Sequence, residues 1–298
     1  MSSILNIESL TKTYGRIRAV DHLDLEVNKG NVYGLLGPNG SGKTTTLGIL
    51  LDIVKPNDGS YRWFGETPSH NNRKRIGATL EHPIFYPYLS AEKNLRIIAR
   101  IKEKPFDDID NILKVVDLYE RKEDKFRTYS LGMKQRLAIA SALIGKPEVL
   151  ILDEPTNGLD PQGIAEIRNI VLRIANEGMT ILLASHLLDE VQKMCTHVAV
   201  LRQGKKLFSG TVGEVLSVSD TVELASVNHE ILSIALSEFN GISGLKKEGE
   251  LIVAHVEEGI STRDINEFLV EKGIVLSHLA MRKQSLEQQF LELLQEAK

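Results

Sequence analysis

The residues best equipped for chemistry in this sequence are Gly37-Pro38-Asn39-Gly40-Ser41-Gly42-Lys43-Thr44. A four-residue gap between Gly37 and Gly42-Lys43-Thr44 lets consecutive backbone N–H groups curl around a triphosphate. The apolar run 32–36 precedes this loop and the run 45–51 follows it, so it is read as joining a strand to a helix whose positive N-terminus faces the same anion. Asn39, Gly40, Ser41, Gly42 and Thr45 would form the cradle for ATP. Lys43 would reach the β- and γ-phosphates, and the Thr44 hydroxyl would hold Mg²⁺.

A second group of oxygen donors closes the apolar run 149–152 as Asp153-Glu154-Pro155. Downstream of a phosphate-binding loop, Asp153 suits the shell of a hard cation, and Glu154, past the strand end, would face the γ-phosphate. His186 follows another apolar run, 180–184, at the carboxyl end of a sheet strand, where α/β folds keep their ligands. The other seven histidines have no such placement. Tyr14 sits in Lys12-Thr13-Tyr14-Gly15, read as a loop ahead of the phosphate loop. Its ring either stacks on adenine, with Val20 as a second apolar wall, or packs as an ordinary surface aromatic.

Positioning these groups takes a layered α/β core. Residues 4–36 alternate apolar and polar, which predicts antiparallel strands leading to the strand before the phosphate loop. Residues 61–65 read as a further strand and turn, and 75–80 as a strand ending at Glu81-His82-Pro83. Between 90 and 119 the spacing is helical, with Leu95, Ile98 and Ile101 on one face, then Ile109, Leu113 and Val116, and Pro105 between the two helices. The apolar stretch 84–89 before them either packs under this insertion or lines a docking surface for a partner. Ser130 is a good N-cap for a helix running through Leu137, Ala140 and Leu143, and a later helix carries Ile164, Ile167, Val171 and Ile174 on one face. From about residue 219 the order strand-helix-strand-strand-helix-strand suggests a small ferredoxin-like sandwich, closed by an amphipathic helix over 285–296. The expected domains are 1–218, with a helical subdomain at about 84–145, and 219–298.

A chain of 298 residues can bury one large core or one large and one small. Residues 219–298 carry 14 Asp and Glu against 7 Lys and Arg, whereas the remainder is net +3. An acidic C-terminal unit is a poor binder of nucleic acid or anionic lipid, so no nucleic-acid partner is expected. The single cysteine, Cys195, excludes an intrachain disulfide and fits a reducing compartment; it reads as a small apolar residue on a helix. No run approaches the roughly 18–20 apolar residues that span a bilayer, and Met1-Ser2-Ser3 lacks the marks of a signal peptide. The expectation is a cytoplasmic protein with no direct membrane insertion, touching a membrane through a partner.

Taken together and in this order, the loop 37–44, the turn Tyr129-Ser130-Leu131-Gly132-Met133, the strand end Leu152-Asp153-Glu154-Pro155-Thr156, Gly158-Leu159-Asp160 and His186 resemble the nucleotide-binding subunit of ABC transporters, over about residues 4–217. The likeness is strongest to the ATPases of bacitracin- and lantibiotic-type exporters. Its pointers are Tyr129 to Arg136, Glu81 where most relatives have glutamine, and the ending Ser285-Leu286-Glu287-Gln288-Gln289-Phe290. The resemblance implies a P-loop α/β core, a mixed sheet with antiparallel β and helical subdomains, followed by a small α+β domain. It also implies a homodimer in the ATP-bound state, each nucleotide lying between one P-loop and Ser130 and Gly132 of the other copy. Glu154 would orient the attacking water, His186 would contact the γ-phosphate, and Asp160 would link the two sites. Thr44, Asp153 and Glu81 would surround Mg²⁺. The partners implied are integral membrane permease subunits at the inner face of the membrane, exporting a peptide antibiotic or similar amphipathic compound.

Three departures from the family pattern stand out. Leu131 and Met133 replace the commoner glycine and glutamine, and Glu81 puts an anion where a neutral amide is usual. Competing readings are an ABC ATPase for another transported substrate, or a soluble one acting on DNA or ribosomes. Against the latter, the insertion at about 90–128 is far shorter than a long coiled coil, and the chain holds one ATPase unit. A simple P-loop kinase would leave Ser130 and His186 without roles.

Overall fold

The computed structural model describes residues 2–80, 83–217, 220–257 and 259–282. The chain divides into two compact units, 1–210 and 211–298, so the boundary falls a few residues before the expected 218/219.

The first unit begins with a hairpin, β1 (Ser3–Tyr14) and β2 (Ile17–Asn28), whose apolar positions alternate with polar ones. With β4 (Asp58–Trp63) they form an antiparallel sheet in the order β2-β1-β4. A second sheet has the order β5-β6-β7-β3-β8-β9. Its members are β3 (Val32–Leu36), β5 (Ile76–Thr79), β6 (Val149–Asp153), β7 (Thr180–Ser185), β8 (His197–Arg202) and β9 (Lys205–Thr211). The pairings from β5 through to β8 are parallel. Strands β3, β6 and β7 are buried at every position, as central strands covered on both faces must be, and this explains runs such as Val149-Leu150-Ile151-Leu152. Leu47, Ile49 and Leu50 of helix α1 (Lys43–Leu50) join residues of both sheets in one apolar core.

The single turn of α2 (His70–Arg73) and Lys74 lead into β5. The helical insertion follows, with α3 (Ala91–Ile101), α4 (Ile109–Val115) and α5 (Leu131–Leu143). Pro105 lies between α3 and α4, where its ring and missing N–H end helical pairing. Ser90 caps α3 by accepting from Lys93 N, and Ser130 caps α5 by accepting from Met133 N, each at 3.3 Å. Helix α6 (Pro161–Asn176) starts with Asp160 as N-cap and Pro161 in its first turn, and α7 (Leu188–Met194) precedes β8. Cys195 is not on a helix: it is buried in extended backbone just past α7, where desolvation pushes its thiol up to about 12.

The stretch 84–89 does not pack wholly under the insertion. Ile84 is 91% exposed and Tyr88 63% exposed, while Phe85 packs on Phe126 with ring centres 5.1 Å apart.

The second unit contains α8 (Val212–Ser217), β10 (Asp220–Ser226), α9 (His229–Ser237), β11 (Ile242–Glu248), β12 (Leu251–Val256), α10 (Thr262–Glu271) and β13 (Leu276–Arg282). The strands pair antiparallel in the order β11-β12-β10-β13, the order of a ferredoxin-like sheet. Val222, Leu224, Ile252 and Ala254 from its strands meet Leu232, Leu236, Ile265 and Leu269 from α9 and α10 in a core of its own. The helix expected over 285–296 lies outside the described residues.

Separate cores carry a prediction. A chain ending at Ser217 retains the whole of the first core and the loop 37–44, so it is expected to fold and to bind ATP with an affinity within a few-fold of the full chain. Calorimetric titration checks this; a folded truncation that no longer binds ATP would contradict it.

Candidate active site

The loop after β3 is shaped by glycines at two positions where nothing else fits. Gly42, the residue capping α1, has φ 105°, and a Cβ there would stand 2.3 Å from the Ala19 carbonyl oxygen. A Cβ on Gly37 would lie 2.4 Å from the Leu201 carbonyl oxygen and 2.5 Å from Ser41 Oγ. The chain can therefore bend tightly enough to aim its N–H groups inward. Inside the bend Lys43 is buried, its ammonium donating to the carbonyls of Gly37 at 2.7 Å and Pro38 at 3.3 Å.

Strand β6 delivers Asp153, 2% exposed, at its last position, and Glu154 immediately beyond. Glu154 adopts φ 47°, a left-handed conformation that turns the chain sharply, and its N–H donates to the Ala184 carbonyl of β7 at 3.0 Å. Its side chain is held from two sides. Oε1 lies 3.3 Å from Lys43 Nζ, and Oε2 lies 2.8 Å from His186 Nδ1 and accepts from the His186 N–H at 3.4 Å. A carboxylate only accepts, so this contact places the imidazole proton on Nδ1. Phosphate loop, β6 end and β7 end thus converge on one carboxylate.

Except for His186, which reaches the site through Glu154 without lining it, these groups lie around a cavity of about 620 Å³. Asn39, Gly40, Ser41, Gly42, Lys43, Thr44 and Thr45 line it, as do Asp153, Glu154 and Tyr14. Tyr14 is the last residue of β1 rather than part of a loop; it is 47% exposed, with Lys12 Nζ 5.1 Å from its ring centre. Val20 is a correction. It is 1% exposed and belongs to the core, whereas Ile17 and Ala19 line the cavity. The cause is an irregularity in the hairpin: His22 has φ 49° and the β1–β2 register shifts between Leu10 and Lys12. Val20 and Leu23, three apart, both turn inward.

The structure leaves Ser130, Gly132 and Asp160 apart from this group. None of them lines the cavity, although Leu131 and Gln135 of the same helix do. Ser130 is exposed. Asp160 Oδ1 accepts from Gly163 N at 2.8 Å, capping α6. Glu81 lies outside the described residues. Sequence reasoning passed over Ile17, Ala19, Gln135 and Asn157 as lining residues. For Gln135 a signal existed, because it stands one turn after Leu131 on the same helical face.

The family described as "ABC transporter" matches residues 20–157. The chain is similar to the bacitracin transport ATP-binding protein BcrA of Bacillus licheniformis, at 38% identity over 99% of this chain and 98% of that protein. It is also similar to the lantibiotic transport ATP-binding protein SrtF of Streptococcus pyogenes, at 40% identity over 68% of this chain and 88% of that protein. Among solved structures it resembles cbiO1 from Clostridium perfringens, part of the ABC transporter complex cbiONQ. That match has 31% identity and a TM-score of 0.67, covering 73% of this chain and 92% of that one. With a relative this similar along almost its whole length and a phosphate loop facing a held carboxylate, the chain belongs to the ABC transporter family, as an ATP-binding subunit with the ABC ATPase core.

Proposed function

We propose that two copies of this chain hydrolyse ATP at shared sites and so power export of a peptide antibiotic or similar amphipathic compound through separate integral membrane permease subunits. The observation that carries the hydrolytic part is the Glu154 carboxylate, fixed between Lys43 and His186 beside the phosphate loop. A carboxylate held there can orient and polarise a water for in-line attack on the γ-phosphate. Lys43 and the N–H groups of the loop neutralise the charge that develops, and His186 holds the attack geometry.

The site also fits Mg²⁺. The Thr44 hydroxyl and the Asp153 carboxylate are hard oxygen donors lining the same cavity, and Ser41 Oγ is buried without a hydrogen-bond partner among the described residues. Mg²⁺ typically takes one or two carboxylates together with substrate phosphates, so Thr44 and Asp153 would hold it, with Glu81 as a further candidate. Bound there, it would supply charge neutralisation and orientation of the phosphates.

Shared sites are supported by α5. Its N-terminus carries the positive end of a helix dipole, and the exposed cap Ser130 does not line this chain's own cavity, which suits the γ-phosphate of a second copy. Asp160, next to the Gly158-Leu159 turn, would link the two sites. The substrate class rests on the relatives named for bacitracin and lantibiotic transport. Among the described residues no helix is long and apolar enough to cross a membrane, and the exposed Ile84, Tyr86 and Tyr88 offer a surface for a permease at the inner face of the membrane.

The test is to purify the chain together with its membrane partner and to measure ATP turnover against a panel of compounds. Bacitracin-like or lantibiotic-like peptides are expected to raise turnover several-fold. Stimulation by DNA or ribosomes and by no amphipathic peptide would overturn the reading.

A further inference from the structure

A second cavity, of about 330 Å³, opens where α2, the start of β5 and the carboxyl ends of α3 and α5 meet. It lies at the amino end of β5, whereas the phosphate loop follows the carboxyl end of β3 in the same run of parallel strands, so the two cavities occupy opposite edges of the sheet. Ile76, Ile101 and Ile144 give it apolar walls. Around them stand Arg73, Lys74, Lys102, Lys104 and His70, against a single carboxylate, Glu103.

The existing ion pairs do not balance this charge. Arg73 meets Asp52 at 2.6 Å, an exposed pair worth little in water. Lys74 lies 3.8 Å from Glu103, a loose contact. Among the described residues no carboxylate comes within 4.0 Å of Lys102 or Lys104. Lys102 Nζ donates to the carbonyls of Ser141 at 3.0 Å and Ile144 at 3.3 Å, which satisfies the end of α5 and ties the helical insertion to this wall. The stem of Lys104 lies against Gly145, where an added Cβ would stand 3.0 Å from Lys104 Cε. Lys102 is thus tied to the end of α5, and Lys104 stands beside it in a cleft whose lining holds one carboxylate, Glu103.

We propose that this cleft binds a small phosphate ester, its phosphate between Arg73, Lys102 and Lys104 and its apolar body on Ile76, Ile101 and Ile144. The Arg73 fork and two ammoniums match a doubly charged tetrahedral anion better than a single carboxylate. Three isoleucines favour an ester with a carbon body over the bare ion. The cost of assembling cations in a half-buried cleft shows in Lys102, which burial, followed by the Lys104 charge, pushes down to about 8. The charged groups facing it are Lys104, Glu103, Lys74, Arg73 and His70. A bound dianion restores the charged form, so near pH 8.5 binding should draw a proton from the buffer.

The experiment uses the full chain carrying Lys43→Ala, which disables the phosphate loop, titrated calorimetrically with phenyl phosphate and, separately, with inorganic phosphate. Phenyl phosphate is expected to bind saturably and several-fold more tightly than inorganic phosphate, with an apparent heat that changes with the buffer's ionisation heat at pH 8.5. Adding Lys104→Gln should weaken it about tenfold or more, whereas Lys93→Gln on α3 should leave it unchanged. Lys102→Met should abolish the buffer dependence; because this side chain also caps α5, Lys104→Gln is the decisive variant. Absence of saturable binding at millimolar phenyl phosphate, or binding insensitive to Lys104→Gln, would overturn the proposal.

Discussion

Glu154→Gln is expected to lower steady-state ATP hydrolysis by on the order of 10²–10⁴-fold while leaving ATP binding intact. The amide keeps the shape of the side chain but cannot polarise a water as a carboxylate does, and the phosphate loop, Thr44 and Asp153 are untouched. The structure adds a sign to the binding term. In the free chain Lys43 spends part of its charge on Glu154 Oε1, 3.3 Å away; a neutral amide releases that charge for the phosphates, so ATP affinity should hold or rise. Turnover assays paired with nucleotide titration check both parts, and the variant should collect as an ATP-bound dimer on size exclusion. Near-normal turnover would remove Glu154 from the mechanism.

Mixing two inactive variants tests whether the sites are shared. In a heterodimer of a Lys43→Ala chain with a Ser130→Arg chain, one site combines the two unmutated halves and the other carries both lesions. ATP-dependent association and measurable turnover are expected from the mixture, where each variant alone gives neither. An arginine at Ser130 fills the space before the α5 N-terminus, where Ser130 is exposed. Turnover by the Ser130→Arg chain alone, not raised by adding the Lys43→Ala chain, would favour a site complete within one chain.

The parts of this site that were legible in the sequence were those governed by local spacing. The loop 37–44 and the run ending at Asp153-Glu154 announce themselves, because a triphosphate cradle and a buried central strand each leave little choice of residue type. The strand order of the second unit followed from six elements and the restricted ways of joining them. What resisted reading was the face a residue presents. Period two divides β2 into two sides but does not reveal that His22 breaks the alternation, so Val20 passed for a cavity wall when it is core. Tyr14 passed for a loop residue because Gly15 signals a turn, and β1 runs right up to it. The pairing of Glu154 with His186, 32 residues away, is a product of β6 and β7 lying side by side and has no local trace.

The left-handed backbone at Glu154 also bears on how this protein can vary. At φ 47° asparagine, aspartate and glycine sit with less strain than glutamate does, by something like 1 kcal/mol for glycine. Each of them shortens or removes the carboxylate that reaches Lys43 and His186. Descendants of this chain that drift at position 154 would therefore remain abundant and well folded while losing turnover, and a screen for expression or thermal stability would pass them. Selection at this residue acts through the work the protein performs, with the fold itself pulling weakly the other way.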